Sequence, residues 1–195
     1  MDMVENTSRP VGRPRDEEAG PAILAVARRL VLSHGYCGVS IALISKEAGV
    51  GRQTLYRRWV SKADLVLDAF FASASENDSF ERLPFELALR TFLETLFENL
   101  KEDGPAIRNL IASAQSDLPF CMEFRERFVE PRAEVVRAIF ERGLAEGQVR
   151  EDADVALAID VIHGAFWYRL LQGEALDESY AKRLATFVTR TYGRT

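Results

Sequence analysis

A chain of 195 residues, 47% hydrophobic and 28% charged, can build one large or two small cores and is too apolar for a disordered or fibrous protein. The net charge of −5 argues against a nucleic-acid partner only until it is divided by position: residues 1–62 carry +4 and the remainder −9. A basic N-terminal third on an acidic body describes a DNA-facing end and a body that repels the phosphate backbone.

Residues 1–15 lack periodicity and hold Arg9 and Gly12-Arg13-Pro14-Arg15, which reads as a flexible basic arm. Arg13 and Arg15 either enter an adjacent minor groove or remain solvated. No apolar run follows the N-terminus, so no signal peptide is expected and the protein is read as cytoplasmic. Asp16-Glu17-Glu18 starts a first helix, with Pro21 in its first turn or marking a slightly later start. Ile23, Ala27, Leu30 and Val31 form its apolar face, and His34-Gly35 ends it with His34 near the cap.

Ser40 caps a short second helix on which Ile41, Ile44 and Ala48 recur, and Gly49 supplies the positive φ of a tight turn. A third short helix follows. Leu55 and Trp59, spaced i and i+4, pin it inward and leave Arg52, Gln53, Thr54, Tyr56 and Arg57 outward. This is a helix-turn-helix with polar side chains of the size that reaches base edges. Arg52 can bond bidentately to guanine, Gln53 to adenine, and Thr54 can offer a methyl to thymine or a hydroxyl to phosphate. Phosphate contact is the alternative for each. Tyr56 and Lys62 are read as phosphate contacts, and Ser61-Lys62-Ala63-Asp64 as a capping box that opens a fourth helix.

From there the pattern is helical throughout. Helix 4 is expected to run to about Ser75, and a polar stretch from Glu76 to Ser79 to separate it from a helix bearing Leu89, Phe92, Leu93, Leu96, Phe97 and Leu100. Asp103-Gly104-Pro105 is expected to break the chain and begin another helix. The next, from about Leu118, carries Phe120, Phe124 and Phe128 and should kink at Pro131 before Gly147 closes it.

The segment of about 152–172 is apolar nearly all round, too short and too interrupted by Asp160, His163 and Arg169 for a membrane span. It must be covered on both sides, and its small residues Ala158, Gly164 and Ala165 favour close helix approach. With the helix of about 177–192, which presents Tyr180, Leu184, Phe187 and Val188, it is expected to form a homodimer interface. Cys37 and Cys121 are expected to be buried thiols, with redox sensing by Cys121 as the alternative. They and the two histidines give no ligand set at metal spacing, so no metal or cofactor is expected.

The Arg-Pro-Arg arm, Gly35-Tyr36, Ala48-Gly49-Val50, Thr54-Leu55-Tyr56-Arg57-Arg58-Trp59 and Ser61-Lys62, followed by an all-helical body, resemble the TetR family of bacterial transcription regulators (TetR/AcrR type). The resemblance is specific over residues 12–66 and architectural beyond, with Val129-Glu130-Pro131-Arg132 similar to one type of C-terminal domain in the family. Gly51, where a Ser is usual, and Gly20-Pro21 depart from the pattern. The resemblance implies an all-α fold of about nine helices and a homodimeric repressor of a palindromic double-stranded DNA operator, released by a small molecule. It implies base or phosphate contacts for Arg52, Gln53 and Thr54, phosphate contacts for Tyr56 and Lys62, and a supporting cap at Ser40. The expected division is an arm at 1–15, a DNA-binding domain at 16–62 and an effector-binding and dimerisation domain at 63–195.

The fourth helix would join head to body, so that its tilt sets the separation of two recognition helices in a dimer. Phe92, Leu96, Phe124, Phe128, Phe166 and Trp167 are the candidate lining of an effector site, with plain core as the alternative, and they favour an apolar or aromatic effector. His163, with Asp160 and Arg169, would orient that effector or join a buried dimer network. An effector-independent architectural DNA binder is the runner-up; it leaves the apolar 152–172 segment unexplained. A helical enzyme lacks any recognisable nucleophile and base, carboxylate pair, metal set or phosphate loop, so no catalytic residue is expected.

Overall fold

The computed structural model describes residues 16–71 and 82–194. The basic arm with Arg13 and Arg15 and the polar stretch at 76–79 lie outside the described residues. In chain order the elements are α1 (Asp16–His34), α2 (Ile41–Glu47), α3 (Arg52–Tyr56), α4 (Lys62–Phe71), α5 (Phe85–Ala114), α6 (Leu118–Phe124), a π-helical turn (Arg125–Val129), α7 (Glu130–Ala145), α8 (Val155–Gln172) and α9 (Glu178–Tyr192). Among the described residues no helix is long and apolar enough to cross a membrane.

Local sequence sets the helix ends. Ser40, Asp117, Asp154 and Asp177 each accept a hydrogen bond from a backbone N–H of the first turn of the helix they precede. Gly35 (φ 68°) and Gly49 (φ 64°) take the left-handed conformation that turns the chain after α1 and after α2. Pro21 does not delay α1: it sits inside the helix, at a cost of one backbone donor. A Cβ on Gly20 would lie 2.7 Å from Arg58 Nη1, so the glycine lets Arg58 reach α1 from the end of α3.

The head packs Ile23, Ala27, Leu30 and Val31 of α1 against Ile44, Leu55, Trp59 and the buried Leu65 and Val66 of α4. In the body, Leu89, Phe92, Leu93, Leu96 and Phe97 of α5 join Phe120, Phe124, Phe128, Phe140, Phe166, Leu184 and Val188 in one continuous core. Phe97, Phe120, Phe128, Phe140 and Phe166 are fully buried, each contributing about 1.5–3 kcal/mol of burial.

Two expectations about the body are corrected. Asp103-Gly104-Pro105 does not break the chain: α5 runs unbroken through it for 30 residues. Burial on both sides outweighs the local breakers, with Leu96, Phe97 and Leu100 before them and Ala106, Ile107 and Leu110 after. Gly104 also admits Leu170 of α8, whose Cδ1 would lie 3.3 Å from an added Cβ. The helix expected from Leu118 is instead divided by the π-turn, where Glu130 N–H donates to Arg125 O. That wider turn ends at Val129, two residues before Pro131, and absorbs the fault its missing N–H would otherwise cause.

Candidate nucleic-acid interface and its link to the body

The third helix is held from behind by two buried side chains. Leu55 is fully buried, and Trp59 is buried with its indole Nε1–H donating to Asp68 at 2.7 Å. Arg52, Gln53, Tyr56 and Arg57 are exposed on the other side, Tyr56 at 57%, while Thr54 is half-buried. Gly51 occupies the cap position without a side-chain bond, and the helix starts on Thr54 N–H donating to Gly51 O at 2.9 Å. Ser40, exposed, accepts from Leu43 N–H at 3.1 Å and fixes the start of α2.

Ser45 is a structural residue that the sequence reading missed. It is buried; its hydroxyl donates to Val50 O at 2.6 Å while Val50 N–H donates to Ser45 O at 3.1 Å. This pair of bonds closes the turn between α2 and α3 and so sets their angle. The available signal was a hydroxyl inside an otherwise apolar face.

Lys62 is not simply outward. Its ammonium donates to Tyr36 O at 3.1 Å and Val39 O at 3.3 Å and lies 3.8 Å over the Tyr36 ring. Burial pushes its pKa down. The lysine therefore clamps the α1–α2 connection with two of its three N–H donors. Tyr36 in turn stacks on Phe120 of α6, with ring centroids 4.0 Å apart. Burial, with Asp117 and Glu123 nearby, raises the pKa of its phenol.

Ser61 faces the body as well. Its Oγ accepts from Asp64 N–H at 2.9 Å and donates to the Glu123 carboxylate at 3.2 Å. Asp64 reaches back to Val60 N–H at 2.8 Å, one residue beyond a standard capping box. From the π-turn, Arg127 places its guanidinium on the carboxylates of both Asp64 and Asp68 and donates to Asp64 O at 3.0 Å. Arg28 of α1 pairs with the buried Asp103 of α5 at 2.5 Å, and burial raises the Asp103 pKa against the pull of Arg28. Head and body are thus joined by charge-assisted contacts at α1, α4 and the α3–α4 connection. The spacing of Asp64 and Asp68, two carboxylates one helical turn apart, is the sequence signal for the Arg127 contact.

The candidate effector residues come together in part. Phe124 and Phe128 lie 5.0 Å apart by ring centroids, Trp167 meets Phe128 edge-on at 5.8 Å and stacks on Phe166 at 5.5 Å, and His163 lies 5.3 Å from Phe166. Phe92, Leu96, Phe124, Phe128, Phe166 and His163 are buried, and Trp167 is half-buried. The three polar residues of α8 differ in their surroundings: His163 is buried. Asp160 is exposed, and Arg169 donates to Ala175 O at 3.0 Å, pairs with Glu174 and lies over Tyr180.

On α8, Ala158, Ile159, Ile162, Phe166 and Leu170 face the chain's own core, whereas Leu157, Gly164, Tyr168 and Leu171 are exposed at helical spacing. Of the three small residues, only Gly164 lies on the exposed face: Ala158 is buried, and Ala165 is half-buried, its carbonyl accepting from Tyr180 OH at 3.2 Å. Phe187 of α9 is 56% exposed, whereas Leu184 and Val188 of the same helix are buried. The cysteines are not both buried: Cys37 is exposed, 3.6 Å from Ser113 Oγ, and Cys121 is half-buried. Among the described residues no group of three or more His, Cys, Asp or Glu side chains is placed to hold a metal ion.

Comparison with known proteins agrees with this geometry. Residues 23–69 match the family described as bacterial regulatory proteins, tetR family, and residues 85–188 match the tetracyclin repressor-like C-terminal domain. The chain is 33% identical over 178 residues to YdeS of Bacillus subtilis, an uncharacterised HTH-type transcriptional regulator, covering 89% of each protein. It is 29% identical over 177 residues to the DNA-binding transcriptional repressor TetR of Mycobacteroides abscessus, covering 87% of this chain and 91% of that one. Among solved structures it resembles FadR of Bacillus subtilis in complex with stearoyl-CoA, with a TM-score of 0.68 at 20% identity over 86% of this chain and 96% of that chain. The chain belongs to the TetR family of DNA-binding transcriptional regulators.

Proposed function

We propose that this regulator is a cytoplasmic homodimeric repressor that binds a palindromic operator and lets go when a small molecule enters residues 63–195. Residues 16–62 form the DNA-binding unit. Arg52 and Gln53 read base edges, while Thr54, Tyr56, Arg57 and Ser40 meet phosphates, and Arg13 and Arg15 follow the minor groove. Lys62 keeps its third N–H for a phosphate while its other two hold the turn. Copies of the chain pair through the exposed faces of α8 and α9.

The observation that carries this reading is the coupling of the recognition helix to the body. Asp68 accepts from Trp59, behind α3, and pairs with Arg127 of the π-turn, so one carboxylate touches both halves of the protein. The π-turn also contains Phe128, part of the aromatic cluster. A ligand that prefers a different packing of that cluster shifts α4 by its differential affinity for the two arrangements. The same fold with stearoyl-CoA bound in Bacillus subtilis FadR supports an effector of apolar type. An architectural protein would have no use for the connection through Asp68, and the reading assigns no catalytic step.

Selection of bound fragments from a genomic library, followed by gel shifts with a small-molecule collection, tests the proposal. Specific fragments should be retained by ligand-free protein and released by some members of the collection. Retention that no compound alters would favour the architectural reading.

A further inference from the structure

His163 lies in the middle of α8, only 8% exposed. Its Nδ1 is 2.9 Å from the Ile159 carbonyl oxygen. A carbonyl oxygen can only accept, so Nδ1 carries the hydrogen, and in the neutral ring Nε2 is an acceptor. That atom is buried, and among the described residues no group bonds it. Burial depresses the imidazole pKa, the Ile159 bond opposes this, Arg132 adds to the depression and Asp160 resists it. A buried acceptor left unmatched costs folding stability, and such costs persist where a site needs the group.

Arg132, on the first turn of α7, brings a cation to the same cluster of rings that His163 joins, through Phe128, Trp167 and Phe166. Its guanidinium lies 3.8 Å over the Phe128 ring and donates to Phe128 O at 2.9 Å. Burial lowers its pKa to about 10, which leaves it cationic at neutral pH. Phe128, Phe166 and Trp167 form the apolar surroundings of the two groups. An acceptor nitrogen and a cation set among aromatic rings are matched by a ligand with a flat apolar body, a donated proton and a negative charge.

We propose that His163 and Arg132 are the polar end of the effector site and that the effector is an aryl-bearing carboxylic acid. The assignment rests on the reading of the body as the effector-binding part. An acid that enters protonated passes its proton from oxygen to Nε2; one that enters as carboxylate is joined there by a proton from water. In both cases the ring becomes an imidazolium, and the carboxylate between it and the guanidinium offsets their repulsion. Arg132 is bonded to a carbonyl of the turn whose Arg127 grips Asp64 and Asp68, so the same residue that meets the acid bears on α4.

The test is calorimetric titration of the full chain at pH 8 with benzoate, 2-naphthoate and 4-phenylbutyrate, each beside its methyl ester, in two buffers of different ionisation enthalpy. At least one acid should bind roughly tenfold or more tighter than its ester, with uptake of close to one proton. H163L should weaken that acid roughly tenfold while its Tm holds or rises, because the variant removes an unmatched buried acceptor. R132K retains the charge but not the planar fork and should weaken it less than R132M. Equal binding of acid and ester, acid binding indifferent to H163L, or no binding by any of the three acids overturns the proposal. Operator binding by the ligand-free protein is measured alongside: if it is intact while the acids fail, only the acid assignment falls, whereas its absence refutes the regulatory reading itself.

Discussion

Arg127 pairs with Asp68, and Asp68 also accepts from the indole N–H of Trp59, so the π-turn of the body and the back of the recognition helix share one carboxylate. The neighbouring Asp64 gives Arg127 a second carboxylate on α4. Loss of this guanidinium should leave both halves folded and disconnect them. Arg127→Met is expected to cost about 1–2 kcal/mol of stability, discounted because all three side chains keep some solvent contact. Its larger effect should be on release: ligand that frees operator from the parent protein should do so at least several-fold less effectively. A gel-shift titration with effector checks this, and unchanged release would remove Arg127 from the coupling.

Lys62→Ala separates two roles of one ammonium. Loss of the bonds to Tyr36 O and Val39 O and of the contact with the Tyr36 ring should lower stability by about 1–2 kcal/mol. If its third N–H also meets a phosphate, binding should weaken alike on all sequences and the salt slope should fall by about one. Affinity measured from 50 to 200 mM salt decides; an unchanged slope with lowered stability would make Lys62 a clamp alone.

Arg52→Ala and Gln53→Ala should act differently from Lys62→Ala. Both side chains are exposed, so stability should change by no more than about 0.5 kcal/mol. Discrimination at one base pair of each half-site should fall by about 1–3 kcal/mol for each variant. Competition among single-base operator variants measures it, and a uniform loss across all variants would reassign the residue to phosphate.

His163 gives the fold a pH dependence of known sign. Its folded pKa is depressed, so the unfolded chain takes up protons that the folded chain does not as pH falls through about 6.5. Its share of stability is complete above that value and is lost as pH falls toward the folded pKa. Asp103, with a raised pKa, acts in the opposite sense: its contribution is present below the usual carboxylate value and lost as pH rises through the folded pKa. His163→Leu should therefore flatten the decline in urea midpoint between pH 7.5 and about 5.5. An identical decline in the variant would place its origin elsewhere.

Phe187→Glu tests the dimer face. Phe187 and Tyr168, 56% and 65% exposed, are large apolar side chains outside the chain's own core. A charge at position 187 should produce monomers in sedimentation experiments and weaken operator binding with them, while the helical circular dichroism of the chain persists.

The head was the more legible half of the sequence because its signals are local. Ser40 as a cap, Gly49 at positive φ and Leu55 and Trp59 one turn apart follow from propensity and period, which fix a short helix and its outward side chains. The body depended on contacts distant in sequence. Gly104-Pro105 reads as a breaker until Leu170 is seen against Gly104, and Pro131 reads as a kink until the π-turn before it is seen. Ser61 is legible as a cap and Lys62 as a phosphate contact, but nothing nearby in sequence announces Glu123 as a second partner of Ser61, or Tyr36 and Val39 as partners of Lys62. Pairing of Asp64 and Asp68 with Arg127, some 60 residues later, is likewise a tertiary fact whose only local trace is the spacing of the two carboxylates.

Footprinting of the protein on a retained genomic fragment, with excess unrelated duplex as competitor, tests operator recognition by a dimer most directly. Two symmetric half-sites should be protected, their centres one helical turn of about 34 Å or a multiple of it apart, and protection should persist in the competitor. Protection without symmetry, lost to any duplex in proportion to its concentration, would contradict it.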